Sequence, residues 1–210
     1  MPKLIYLPVQ GRAQAIRYLL ASKGVEYEDS RLPYDEWMTI KAAGTYGTSQ
    51  LPIWVGDDGK WYNQSIAILK LVGHEHGYGT SSASALYESE WFYATIVDCL
   101  EKPDRMAIMR DDASEEAKHA AIACFTSFLD RLEAHWADGR AHVAGDSITH
   151  ADFALLALAT GQLDNAHAKH ADIHAAVSAK LHSSANVQRV LQPVRELCAA
   201  QIAALSPSPI

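Results

Sequence analysis

Every strand signal in this chain falls before residue 78, and every later periodic segment is helical, so strands and helices cannot share one continuous layer. Lys3–Leu7 is short, apolar and β-compatible, and Pro8 closes it because proline has no N–H to give to a ladder. The segment 13–23 carries apolar residues 16, 19 and 20 at helical spacing and stops at Gly24. Residues 25–31 begin with apolar–polar alternation and read as a strand. Residues 35–43 read as a helix, with Asp35 and Glu36 at its start and Lys41 near its end. A loop follows over 44–49. Strands at 53–55 and 60–62 flank the hairpin turn Gly56-Asp57-Asp58-Gly59, and Ser65 is placed to cap a helix over 66–72.

That order, βαβ then α then ββα, combines a right-handed parallel crossover with an antiparallel return. It predicts a mixed four-stranded sheet and an α/β thioredoxin-like domain over 1–77. The Gly- and Ser-rich run Gly77–Ser82 predicts a linker over 78–84, and an all-α domain is expected over 85–210. Helices are expected at 83–101, 115–137, 149–163, 172–182 and 185–204, with Pro193 splitting the last. In the second of these, Ile122, Phe125, Phe128, Leu129, Leu132 and Trp136 form one apolar stripe. Thr149 and Asp152 have the spacing of a capping box, with Ile148 and Phe153 at the positions of a hydrophobic staple.

Charge and cysteine usage narrow the function classes. The first 80 residues carry eight Lys or Arg against eight Asp or Glu, so the whole net charge of −7 lies in the remainder. An acidic helical half does not suit nucleic acid or an anionic membrane as a partner. No apolar run approaches the ~18 residues that span a bilayer, and the start Met1-Pro2-Lys3 leads directly into a strand, so the cytoplasm is the expected location. Cys99, Cys124 and Cys198 are odd in number and widely spaced, which fits neither a disulfide framework nor a CxxC pair. All ten His follow residue 73, including His74 and His76 and the set His167, His170 and His174. They read as solvated surface residues, with no metal site expected.

The chemistry is concentrated at Lys3–Ala13. Tyr6 is a hydroxyl at a strand end, and Arg12, six residues on, is a guanidinium at a helix start. Both can converge on one anion, which the helix N-terminus also favours. The same residues also suit a plain βα unit with a half-buried Tyr and a solvated Arg. Trp37 and Lys41 share one helix face, and Gln64-Ser65 stand where free N–H groups bind a carboxylate. Packing, a C-terminal helix charge and a simple cap are the corresponding structural readings.

Taken together, these residues resemble the cytosolic glutathione transferases of the tyrosine type (sigma, mu, pi and alpha-like classes). The resemblance is strongest at 3–20, 50–69 and 143–156. It implies an enzyme that binds glutathione as co-substrate, activates its thiol and conjugates it to small apolar electrophiles, the chemistry of detoxification. It implies that Tyr6 donates a hydrogen bond to the glutathione sulfur and that Arg12 stabilises its charge. It places Trp37 and Lys41 at the glycyl end and Gln50-Leu51-Pro52 along the cysteinyl unit, with Pro52 cis. Gln64 and Ser65 would hold the γ-glutamyl carboxylate, and Asp98 would reach the γ-glutamyl amine of a neighbouring subunit in a homodimer. Leu7, Val9, Met106 and Met109 are candidates for lining the electrophile pocket. Gln10 stands where many relatives have a basic residue, and Lys70 stands where an Arg is usual. The loop 44–49 is about two residues longer than in close relatives, which leaves Tyr46 an uncertain match to their aromatic dimer contact. Two other functions share this scaffold: a glutathione-dependent isomerase resembling prostaglandin D synthase, and a non-catalytic ligand-binding or structural relative.

Overall fold

The computed structural model describes residues 1–101, 110–165 and 167–206, and it divides into two compact units at Gly79/Thr80. In the first unit the strands are β1 (Lys3–Tyr6), β2 (Glu28–Arg31), β3 (Ile53–Val55) and β4 (Trp61–Asn63). They form one sheet in the order β2-β1-β3-β4, with β1 and β2 parallel and the other two pairings antiparallel. The helices are α1 (Gln14–Ser22), entered through a 3-10 turn over Gly11–Ala13, α2 (Tyr34–Ala42) and α3 (Ser65–Glu75). This is the thioredoxin-like arrangement.

Side chains alternate across a strand, and the two faces of β1 bury different partners. Ile5 joins Ile53 and Trp37 of α2 in one cluster, against which Leu7, Ile40, Tyr46 and Leu51 also pack. Leu4 and Tyr6 point the other way, and the guanidinium of Arg17 in α1 lies 5.8 Å from the centre of the Tyr6 ring. α1 packs on α3, and Ile16, Leu19, Leu20, Ile68 and Val72 are fully enclosed.

Two boundaries in this unit differ from the sequence expectation. β2 begins at Glu28 rather than Val25, because its parallel partner begins at Lys3, which pairs with Glu28. Val25 instead gives its N–H to Leu20 and closes α1. Ser65 is the first residue of α3 and does not cap it. The capping position belongs to Gln64, which stands at φ +69°, ψ +106° and makes no side-chain cap.

Tyr78, expected in the linker, is buried in the first unit, with Ser22 Oγ donating to its hydroxyl at 3.1 Å and Lys23 Nζ 4.4 Å from its ring centre. Ser82 then caps α4 by accepting the Ala85 N–H.

The second unit contains α4 (Ala83–Leu100), α5 (Glu115–His135), α6 (His150–Leu158), α7 (Ala171–Ser183), α8 (Ala185–Leu197) and α9 (Ala199–Ala203), with a π turn over Ala159–Leu163 after α6. α5 packs against α4, α7 and α8, and α6 packs against α4 and α8. The buried stripe of α5 is Ala121, Cys124, Phe125, Phe128, Leu129 and Leu132, so Ile122 lies at its margin rather than in it. The Cys99 and Cys124 thiols meet between α4 and α5 with 3.7 Å between their sulfurs, and all three cysteines are buried thiols outside any disulfide.

Pro193 does not split the last helix. α8 runs through it, and the break comes at Cys198. A mid-helix proline costs ~3 kcal/mol, whereas burial of each large aliphatic side chain contributes roughly 1.5–3 kcal/mol. Val187, Val190 and Leu191 before the proline and Val194 after it are all fully buried, so packing outweighs the lost hydrogen bond.

Thr149 caps α6, and the capping box with Asp152 is complete. Asp152 is fully buried and also accepts the Val143 N–H at 3.0 Å, a contact the local spacing does not reveal.

Candidate functional site

Three expected site segments emerge at one end of the sheet, and the strand register puts them there. Ile5 pairs with Ile53, and Ile53 pairs with Asn63. The next residue out is therefore Tyr6 on β1, Pro52 on β3 and Gln64 after β4. Adjacent strands are ~4.8 Å apart, so segments 46 and 12 residues apart in sequence become neighbours in space.

Tyr6 ends β1 and is 9% exposed. Its hydroxyl oxygen accepts the backbone N–H of Arg12 at 3.0 Å. The approach is possible because residue 11 is glycine: at its φ of +40°, a Cβ would stand 2.6 Å from the Tyr6 oxygen. The acceptor side of the phenol is thus engaged from the loop, and its own proton remains to be donated elsewhere. The Arg12 side chain is exposed at the mouth of the same turn.

On the neighbouring strands, the Leu51–Pro52 bond is cis. Pro52 is buried, Leu51 half-buried and Gln50 exposed. Gln64 Nε2 donates to Gln50 Oε1 at 3.1 Å and ties the start of α3 to the segment before β3. Among the described residues, Gln64 is the single non-glycine residue at positive φ. Such a conformation costs on the order of 1–3 kcal/mol and is found mostly where a ligand site imposes it. The N-cap residue Gln64 offers no side-chain cap to the first turn of α3, which begins at Ser65. Uncapped N–H groups at a helix start, with a hydroxyl beside them, bind a carboxylate well.

The other expected residues are placed less closely. Trp37 is 5% exposed within the Ile5–Ile53 cluster, and Lys41 is exposed one turn further along α2. Leu7 is half-buried and packs against that same cluster. Val9 is half-buried beside the Tyr6 loop. Tyr46 folds onto Trp61 of its own unit, with ring centres 6.3 Å apart. Asp98 belongs to α4 in the second unit, where it is exposed and paired with Arg131 of α5 at 3.1 Å. Met106 and Met109 lie outside the described residues. Among the described residues, no group of three His, Cys, Asp or Glu side chains converges as metal ligands would. His170 instead bonds to the Arg110 carbonyl.

The sequence reading missed Arg17. It is 6% exposed in α1, with Nε 3.2 Å from both Asp29 carboxylate oxygens. Burial lowers its pKa, and Asp29 only partly offsets this. The same pocket pushes the neighbouring Tyr27 up to about 12, through burial first and then the Asp29 charge. A signal for Arg17 was present: Ala13, Ile16, Arg17 and Leu20 have the i, i+3, i+4, i+7 spacing of a buried helix face, and one of the four is charged.

Comparison with known proteins points to one family. Residues 115–191 match the family model described as "Glutathione S-transferase, C-terminal domain". A glutathione S-transferase of Dirofilaria immitis is 32% identical over 158 residues, 73% of each chain. Glutathione S-transferase P 1 of Xenopus laevis is 27% identical over 165 residues, covering 77% of this chain and 76% of that protein. The crystal structure of the glutathione S-transferase from Ascaris lumbricoides superposes over the whole of both chains with a TM-score of 0.80 at 23% identity.

Proposed function

Because the chain belongs to the glutathione S-transferases, we propose that it activates the thiol of glutathione through Tyr6 and transfers the sulfur to a small apolar electrophile. The observation that carries this reading is the Tyr6 hydroxyl, which accepts from the Arg12 N–H while retaining its own proton for a sulfur beside it.

The reactive species is the thiolate, and a thiol of pKa ~8.5 is only a few per cent ionised at neutral pH. Each unit of lowering requires about 1.4 kcal/mol of preferential thiolate stabilisation. A hydrogen bond to a charged acceptor contributes about 1.5–3 kcal/mol, so Tyr6 alone accounts for roughly one to two units. Arg12 adds charge from the loop mouth. With an aryl halide the sulfur–carbon bond forms, the carbon–halogen bond breaks and halide leaves with the electron pair. The tripeptide is held along Gln50-Leu51-Pro52 and at Gln64-Ser65, whose joined side chains support that assignment. Trp37 and Lys41 serve the glycyl end. The protein acts as a cytoplasmic homodimer, in which Asp98 reaches a glutathione bound by the other copy.

The experiment is steady-state turnover by the purified protein with glutathione and an activated aryl chloride, beside an endoperoxide isomerisation assay and light scattering. Conjugation is expected, with a dimer mass at micromolar concentration. Isomerisation without conjugation would replace the transferase reading, and a monomer would remove the cross-subunit role of Asp98. Tyr6→Phe should lower turnover at neutral pH roughly 10- to 150-fold and recover part of it as pH rises.

A further inference from the structure

We infer that Arg17, which need not touch glutathione, is the positioning residue that holds the Gly11–Arg12 turn against the Tyr6 hydroxyl and so sets the acidity of the bound thiol. This rests on the reading of Tyr6 as the activating group.

The contacts of Arg17 lead from one sheet strand to the loop that carries the hydrogen bond. Its Nη1 donates to the Val9 carbonyl at 2.9 Å and to the Gln10 carbonyl at 3.3 Å. Those two residues immediately precede Gly11 and Arg12. Its Nε is held by the Asp29 carboxylate on β2, and Arg31 Nε donates to the same carboxylate at 2.8 Å. The guanidinium carbon lies 5.8 Å from the centre of the Tyr6 ring. The groups facing it are therefore Tyr6 from β1, Tyr27, Asp29 and Arg31 from β2 and its neighbourhood, and the two loop carbonyls.

One planar side chain thus fixes the ring, the strand beside it and the two peptide units before the donor. The fork of donors is what this task needs. A lysine ammonium presents one point charge and cannot span a carboxylate and two carbonyls with the same geometry. Arg17 is also costly to keep where it is. It is nearly enclosed, its Nη2 is buried with no partner among the described residues, and burial works against its charge. Packing alone would be served better by an aliphatic residue on this apolar helix face. A registered loop supplies the reason for an arginine. The loop needs such a tie: Gly11 stands at φ +40°, where a Cβ would come within 2.6 Å of the phenol oxygen, and a small drift of the turn would separate the Arg12 N–H from its acceptor 3.0 Å away.

The test is a double-mutant cycle read as the apparent pKa of enzyme-bound glutathione, from the pH dependence of thiolate ultraviolet absorbance and of kcat/KM. Tyr6→Phe is expected to raise this pKa by about one to two units. Arg17→Lys should raise it by about half to one unit and leave KM for glutathione within about twofold. The double variant should match Tyr6→Phe alone to within about 0.3 unit, because Arg17 acts through Tyr6. Where Arg17→Lys does not accumulate as folded protein, Asp29→Asn takes its place, with a smaller shift in the same direction. A shift in Tyr6→Phe without one in the folded Arg17 or Asp29 variant overturns the inference, as does full additivity. An unshifted Tyr6→Phe removes the reading of Tyr6 itself and the inference with it.

Discussion

Replacing Asp152 by alanine should destabilise the helical unit by considerably more than an ordinary helix cap. An N-cap lost to alanine costs about 0.5–2 kcal/mol. Asp152 does more than cap: Oδ2 accepts the Thr149 N–H at 2.8 Å and the Thr149 hydroxyl at 3.1 Å, while Oδ1 accepts the Val143 N–H at 3.0 Å. Val143 is 0% exposed and Thr149 4%, so Asp152→Ala leaves two backbone donors buried and unmatched. Each costs about 1–3 kcal/mol. Removing a buried carboxylate also removes its desolvation cost, which offsets part of this. The net expectation is about 2–5 kcal/mol, or roughly 5–15 °C in Tm for a protein of this size. Thr149→Ala should cost less, about 0.5–2 kcal/mol, since it removes the hydroxyl cap on the Ala151 and Asp152 N–H groups and leaves the carboxylate bonds to the Val143 and Thr149 N–H groups in place. Urea unfolding followed by far-ultraviolet circular dichroism measures both, with glutathione conjugation per folded molecule as the control for an intact site. If Asp152→Ala costs no more than Thr149→Ala, the link from Asp152 to Val143 does not contribute as argued.

Three further outcomes follow from other contacts. Ser65→Ala should raise the glutathione dissociation constant several-fold, measured by Trp fluorescence titration, with little change in turnover at saturation, because the contact is remote from sulfur; an unchanged constant would remove Ser65 from the site. Glu88 is pulled upward in pKa by burial, but hydrogen bonds from Arg140 and His135, at 2.5 and 2.7 Å, pull it below its ordinary 4.5. A depressed carboxylate contributes stability that is present above its unfolded pKa and lost as pH falls through the folded one. Glu88→Gln should therefore melt below wild type at pH 7, and the gap should close progressively below about pH 4.5. Pro193→Ala should restore an α8 hydrogen bond and raise Tm by a few degrees, offset in part by a looser unfolded chain; a lower Tm would mean that the proline ring itself packs productively.

The element order of the first unit was legible because each strand and helix has its own period and its own stop, as with Pro8 and Gly24. Cases decided by distant partners were not legible. The start of β2 depends on where β1 begins, so the alternation at Val25–Tyr27 pointed to pairing that has no partner strand. Pro193 argues locally for a break, and only the burial of Val187, Val190, Leu191 and Val194 overrides it. Ser65 looks like a cap in any window of sequence. The backbone reversal at Gln64 moves it one place into the helix, and no propensity predicts a glutamine at φ +69°. Arg17 was overlooked because an amphipathic stripe is read from its apolar members, and a charge within it registers as noise. Asp98 shows the opposite limit. Its pairing with Arg131 joins α4 to α5 across 33 positions, and a helical acid's partner cannot be inferred from its own surroundings.

The contact between Gly11 and the Tyr6 hydroxyl bears on how this chain tolerates change. At Gly24 a side chain would meet nothing within 4 Å, so a substitution there faces only the backbone cost of φ +62°. At Gly11 even a methyl group enters the volume of the phenol oxygen. A saturation scan scored for both abundance and turnover should therefore separate the two positions. Variants at residue 24 lose activity only in proportion to folded protein, whereas variants at residue 11 lose activity beyond that proportion. Drift at residue 11 is blocked by the very hydroxyl proposed to activate the thiol, and a descendant could acquire a side chain there only after that hydroxyl had moved away.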